Sequence, residues 1–217
     1  MIMKRLVFIS LFVLSAGIVF ADAATDKMKV CVDSYRKGVY GTAVKNGLEA
    51  LDFMYQSMMN TVLKYLPELK DYKTTETNYI YQFSSELGSI THSFQLWKKM
   101  EGPDASVKVT FNNSLFELNR IHSLYISMDY MKSGIGYEKM AVTNADTIIP
   151  LLKDGNTAFV YYAFETVDTE IFKGLLIRVD IALKKNPDEK TKKKIWLDIV
   201  KQVIGKTKAK SIQLYMN

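Results

Sequence analysis

A single cysteine, four prolines, two histidines and two tryptophans in 217 residues remove several classes of protein at once. Cys31 stands alone and cannot close an internal disulfide, so stability must come from packing whatever the compartment. The same count excludes four-cysteine and Cys/His zinc sites and a C-x-x-C-H haem attachment. Cys31 reads as a small packing residue, with an intermolecular disulfide as the other use of its thiol. Also lacking are a G-x-S-x-G elbow, a P-loop and an H-E-x-x-H pair, and Gly134-Ile135-Gly136 is too short for a nucleotide fingerprint. Together these absences indicate a non-enzymatic chain with no cofactor and no metal.

What is present begins with an address. Lys4 and Arg5 precede an apolar run from Leu6 to Phe20, after which small residues follow. That layout is a secretory signal peptide, and the run is shorter than the roughly 20 residues a membrane-crossing helix needs. Residues 1–21 are expected to be a leader cleaved after Ala21, or alternatively after Ala23, which makes the mature protein exported, periplasmic or secreted. Residues 22–217 are then long enough for one domain with a substantial core.

The formal net charge of +6 is uneven. Residues 184–217 carry ten lysines against Asp188, Glu189 and Asp198, so most of the excess sits at the C-terminal end. Lys190, Lys193, Lys194 and Lys201 alternate with an apolar stripe and read as the solvated face of a helix. They are candidates for peripheral contact with an anionic membrane or cell wall. Nucleic acid is not an expected partner, because the segment has no aromatic stacking ladder beyond Trp196.

Apolar residues recur at helical spacing. Leu48, Leu51, Tyr55, Met58, Val62 and Tyr65 are separated by alternating threes and fours, and Ile80, Phe83, Leu87, Ile90, Phe94 and Trp97 repeat the pattern. A third helix is expected over Phe111 to Met131. A partly helical stretch follows over Tyr137 to Leu152, where Pro150 interrupts an apolar cluster. Asp154-Gly155-Asn156 reads as a turn opening another helix that carries Val160, Phe164, Val167, Ile171, Leu175, Val179 and Ala182. Asn186-Pro187-Asp188-Glu189 caps a last helix buried through Ile195, Ile199 and Val203 and stopped near Gly205; Ser211 to Tyr215 reads as a short strand or an ordered end. The expected fold class is all-α, an irregular helical bundle or short stack of helix pairs with five to seven helices, forming a single helical domain over 22–217 with the lysine-rich segment 184–217.

Gly38-Val39-Tyr40-Gly41-Thr42-Ala43, continuing to Ala50-Leu51, resembles the second-helix half of a tetratricopeptide repeat, and Lys27 to Arg36 could supply the first helix. The resemblance covers about residues 25–60. Gly47 departs from it, standing where a larger residue is usual. What the resemblance implies is a protein-binding scaffold.

Few residues offer chemistry. His92 and His122 fall on the expected second and third helices and are the candidate ligands of a cofactor held between helices. Phe159, Tyr161, Tyr162 and Phe164 crowd one segment too closely for a single stripe, so they require either a helix buried all round or exposure of Tyr161 and Tyr162 to a partner. The leading expectation is an exported, non-enzymatic helical protein acting through contacts with another protein of the envelope or exterior, as an adaptor, envelope-associated factor or inhibitor. The alternatives are a small-ligand or cofactor-binding helical bundle and a binder of anionic envelope surfaces through the lysine-rich end.

Overall fold

The computed structural model describes residues 22–86, 89–129, 136–144 and 147–214, with the side chains of 83–92 outside that set. Residues 1–21, read from the sequence as a leader, lie outside it too. The chain divides after Val62 into two compact units.

In the first unit a helix over 22–36 (α1) turns at Gly38 into α2 (Tyr40–Val62). Gly38 takes φ +74, a left-handed conformation that costs glycine nothing. The amides of Gly38 and Val39 donate back to the carbonyls of Tyr35 and Ser34 at 3.0 and 2.9 Å, closing the end of α1. Small residues let the helices meet: Ala43 and Ala50 are buried, and a Cβ on Gly47 would sit 3.3 Å from the sulfur of half-buried Cys31. Lys27 pairs with Glu49 across the seam, and its ammonium holds that carboxyl below its usual range.

The second unit overturns the all-α expectation. After a short 3-10 turn (Leu63–Tyr65) come β1 (Lys73–Glu86), β2 (Ser89–Glu101), β3 (Ala105–Asn112), α3 (Leu115–Ser127), β4 (Tyr137–Asn144), β5 (Thr147–Asp154), β6 (Thr157–Val167), β7 (Glu170–Leu183), α4 (Glu189–Lys206) and α5 (Ala209–Gln213). The strands form one antiparallel sheet in the order β1-β2-β3-β7-β6-β5-β4. The second expected helix is the β1–β2 hairpin, and the fifth is the β6–β7 hairpin with Asp168 at φ +53 in its turn. Asp154-Gly155-Asn156 is a turn as expected, but it opens β6 rather than a helix. Tyr137 to Leu152 is β4 paired with β5, and the stretch from Ser211, read as a short strand or an ordered end, begins inside helix α5 and not in a strand.

The reason is burial on two sides. In β7 Leu175, Leu176 and Ile177 are all buried, and in β6 Ala158 to Tyr161 are all buried. Such strands lose the in-out alternation that marks a half-buried strand and read as continuous apolar runs. Leu118 and Ile121 of α3 pack with Leu152, Phe159, Tyr161, Ile171 and Leu176 on one face. On the other face Leu151, Val160, Ile177 and Val179 are covered from the side of α4, whose buried stripe is Trp196, Ile199, Val200, Val203 and Ile204.

Two details lock these layers. Bulges in the β6–β7 ladder near Glu165 flip the parity of β7, turning Ile171 toward α3, and the Ile171 amide donates to Asn119 Oδ1 of α3 at 2.8 Å. Within Asn186-Pro187-Asp188-Glu189 the cap is Asp188, with Pro187 before the helix instead of in its first turn: Asp188 accepts from the Thr191 amide at 3.0 Å and its hydroxyl at 2.7 Å, which holds the carboxyl below its usual range. Beyond Tyr65, the buried Lys98 of β2 donates to Leu66 O at 3.3 Å, while Gln202 of α4 accepts from the Lys70 amide at 2.8 Å.

Gly174 is where α3 crosses β7. A Cβ there would fall 2.6 Å from Tyr162 O and 3.4 Å from Leu118 Cδ1. Gly174→Ala is therefore expected to cost about 1–3 kcal/mol through forced displacement. Gly205→Ala, in helix α4 with open space around it, should gain about 0.4–1 kcal/mol. Urea denaturation of both variants tests the packing; a neutral Gly174→Ala would show that the Tyr162 carbonyl does not approach β7 so closely.

Candidate functional site

Pro150 has no amide hydrogen and stands inside β5, so the ladder toward β6 cannot continue through it. The pairing of β5 with β6 runs from Asp154↔Thr157 to Leu151↔Val160 and stops. Before Leu151, β5 stays with β4, and Ala141 faces Pro150. Past Val160, β6 stays with β7. The two strands part, and the side of β6 from Tyr161 to Phe164 that would have met β5 has no ladder partner in that strand.

A groove of about 770 Å³ occupies the parting. Its walls are Thr147 to Pro150 of β5 and Tyr161 to Phe164 of β6, and the segment Thr207 to Ser211 that links α4 to α5 closes a third side, with Gln213 beside it. The volume is that of a pocket for a small organic ligand. Ile149, Pro150 and Phe164 supply apolar surface. Lys208 and Lys210 are exposed on the third side, and the described residues that line the groove, Asn144 among them, include no carboxylate.

Tyr162 lines this groove. Burial pushes its phenol up to about 12, so the hydroxyl remains protonated and able to donate at any physiological pH. Among the described residues no hydrogen-bond partner for that hydroxyl is found. The groove thus offers an apolar wall, one fixed neutral donor, two cations and the bare backbone of β6.

The residues singled out from the sequence scatter. Tyr161 and Tyr162 are consecutive in a strand and so point to opposite faces. Tyr161 is 7% exposed and belongs to the core under α3, where burial also raises its phenol to about 12. It is not a surface contact, and the reading of a helix buried all round is replaced by a strand covered on both faces. His122, on α3 as expected, places Nδ1 3.2 Å from Tyr161 Oη, with the rings edge to face at 5.4 Å. Burial holds the imidazole below its ordinary range, so the pair is neutral, with donor and acceptor set by the tautomer. His92 is in β2, not on a helix; it faces Phe83 in the ladder and its side chain lies outside the described residues. Because β2 is two strands from β7, the fold does not offer the facing helices on which a histidine-ligated cofactor was expected.

Lys190, Lys193, Lys194 and Lys201 are exposed on α4, and none of them lines the groove. Lys193 borders a separate cleft of about 270 Å³ with Lys153, Lys192, Glu138 and Glu189, where opposite charges are paired: Lys153 with Glu138 at 3.2 Å and Lys192 with Glu189 at 2.7 Å. Sequence reasoning passed over Pro150, Ile149, Phe164, Lys208 and Lys210 as site residues. The available signal was a proline within Ile148-Ile149-Pro150-Leu151-Leu152, which in a strand marks a broken ladder.

Comparison with known proteins returns no match to any family model, to any curated protein or to any solved structure. The tetratricopeptide resemblance of residues 25–60 therefore rests on the sequence alone.

The His122–Tyr161 pair makes stability pH-dependent. The folded imidazole has its pKa lowered from 6.5, so its contribution is complete above about pH 6.5. As pH falls below that value the unfolded chain takes up a proton that the folded ring resists, and stability is lost toward the folded pKa. Denaturation midpoints measured from pH 7 to pH 5 should fall, and His122→Asn should flatten part of that slope. An unchanged slope in the variant would assign the loss elsewhere.

Proposed function

We propose that this protein is an exported, non-enzymatic binding protein whose groove between β5, β6 and the α4–α5 link holds an amphipathic anion, such as a medium-chain carboxylate. The observation that carries the reading is the composition of the groove: an apolar wall, a protonated Tyr162 hydroxyl and two lysines, with neither a protein partner for the hydroxyl nor an acid beside the lysines among the described lining residues. An alkyl chain against Ile149, Pro150 and Phe164 would gain from removal of apolar surface from water, at about 25 cal/mol per Å². The head group would find Lys208 and Lys210 at the exposed side. Export is supported by the layout of the first 21 residues.

The bare side of β6 favours a second reading, in which an extended peptide ending in a free carboxylate adds itself along Tyr161 to Phe164. Both ligands share a carboxylate and an apolar body.

Titration calorimetry with dodecanoate tests the proposal. One saturable site per chain is expected, with dodecanol binding more weakly because it lacks the charge. Lys208→Glu together with Lys210→Glu should reduce dodecanoate affinity by about tenfold or more, and Tyr162→Phe by about fivefold through one lost hydrogen bond. No saturable binding, or equal affinity for acid and alcohol, would remove the reading. A hydrophobic peptide that displaces dodecanoate, and does so poorly once its C-terminus is amidated, would give the groove to the peptide instead.

A further inference from the structure

The turn between α1 and α2 exposes apolar side chains that the rest of the first unit does not cover. Tyr35, Val39, Tyr40, Val44 and Leu48 are between 50% and 66% exposed. Tyr40, Val44 and Leu48 are four residues apart and share one side of α2. At the tip the rings of Tyr35 and Tyr40 meet edge to face at 5.5 Å, joining the end of α1 to the start of this stripe. Single exposed apolar residues are ordinary, but a joined set of this kind marks an interaction surface.

The charges among these residues identify the partner. From Ser34 to Leu48 there are three cations, Arg36, Lys37 and Lys45, and no acid, with Asp33 and Glu49 flanking the segment. All three are exposed, and among the described residues no ion pair involves Arg36 or Lys37; Lys45 lies 4.0 Å from Glu49, beyond the stripe. Protein interfaces deplete their centres of charge, and lysine above all, so cations interleaved with the apolar residues fit a partner protein poorly. A bilayer surface fits both: tyrosines settle at the level of the head groups, aliphatic residues go just beneath, and long basic side chains reach anionic lipids.

We infer that the α1–α2 turn is a membrane-contacting tip that seats Tyr35, Val39, Tyr40 and Val44 at the surface of an anionic bilayer, with Arg36, Lys37 and Lys45 on the lipid phosphates. The surface is independent of the groove. It is also distinct from the lysines of α4, which lie on the solvated face of a helix whose apolar side is buried.

A local probe tests this in the full chain. With Cys31→Ser as background, an environment-sensitive fluorophore is attached through Val44→Cys, or through Asp26→Cys near the far end of α1. On vesicles containing phosphatidylglycerol the probe at 44 should shift to the blue and be quenched by nitroxide lipids, while the probe at 26 stays water-like. Binding read at 44 should weaken about tenfold as salt is raised, and by a similar factor in Arg36→Glu with Lys37→Glu, since the attraction is screened and charge-dependent. Because the readout is local, insertion of residues 1–21 does not imitate it. A water-like signal at 44 on these vesicles, an equal shift on purely phosphatidylcholine vesicles, or a shift that grows with protein concentration and needs no lipid would each overturn the assignment, the last in favour of a second copy of the chain.

Discussion

Burial of β6 and β7 on both faces is the constraint from which the second unit follows. A central strand pair with apolar residues at consecutive positions cannot face water on either side, so the sheet demands two covering layers. The chain supplies α3 on one face and α4 on the other, and the sequence around each shows how they are held. Gly174 leaves room for the Tyr162 carbonyl of the neighbouring strand, Asn119 takes up the Ile171 amide at the bulge, and Asp188 fixes the start of α4. Lys98 and Gln202 then tie the segment after Tyr65 to the sheet and to the end of α4.

Against that closed arrangement the groove is a local failure of pairing with a chemical cause. Pro150 ends the β5–β6 ladder in the half of the sheet that α4 reaches with its C-terminal end, and the α4–α5 link bridges the opening without filling it. The side chains brought there come from segments far apart in sequence, Thr147 to Pro150, Tyr161 to Phe164 and Thr207 to Gln213. No stretch of sequence therefore displays the site by itself. The turn of the first unit is the reverse case: its apolar and basic residues lie within Ser34 to Leu48, and one short stretch contains the whole surface.

This contrast accounts for what could be read from residue order. The helix pair before Val62 and the start of α4 near Asp188 were legible because capping, glycine turns and helical spacing are local signals. The sheet was not, because Ile80 through Trp97 meets helical spacing by accident across two strands, and because Leu175-Leu176-Ile177 is apolar on both parities. Thr, Tyr, Ile and Phe in β1 carried the competing β signal, which chain order alone left subordinate to the three-four intervals. Tyr161 and Tyr162 show the same lesson in two residues: their crowding was plain in the sequence, while their assignment to opposite faces needed the strand.

The position of β3 beside β7 has a temporal meaning. Ala105 pairs with Leu183 and Asn112 with Leu176, so everything from α3 to β6 lies between the two halves of that ladder. Local hairpins can form as the polypeptide emerges, but the middle of the sheet cannot zip until nearly the last strand has been synthesised, and such distant closure is slow. The β1–β2, β4–β5 and β6–β7 hairpins are therefore early and local, whereas the centre of the sheet gains its rigidity only when residues 170–183 arrive to join it.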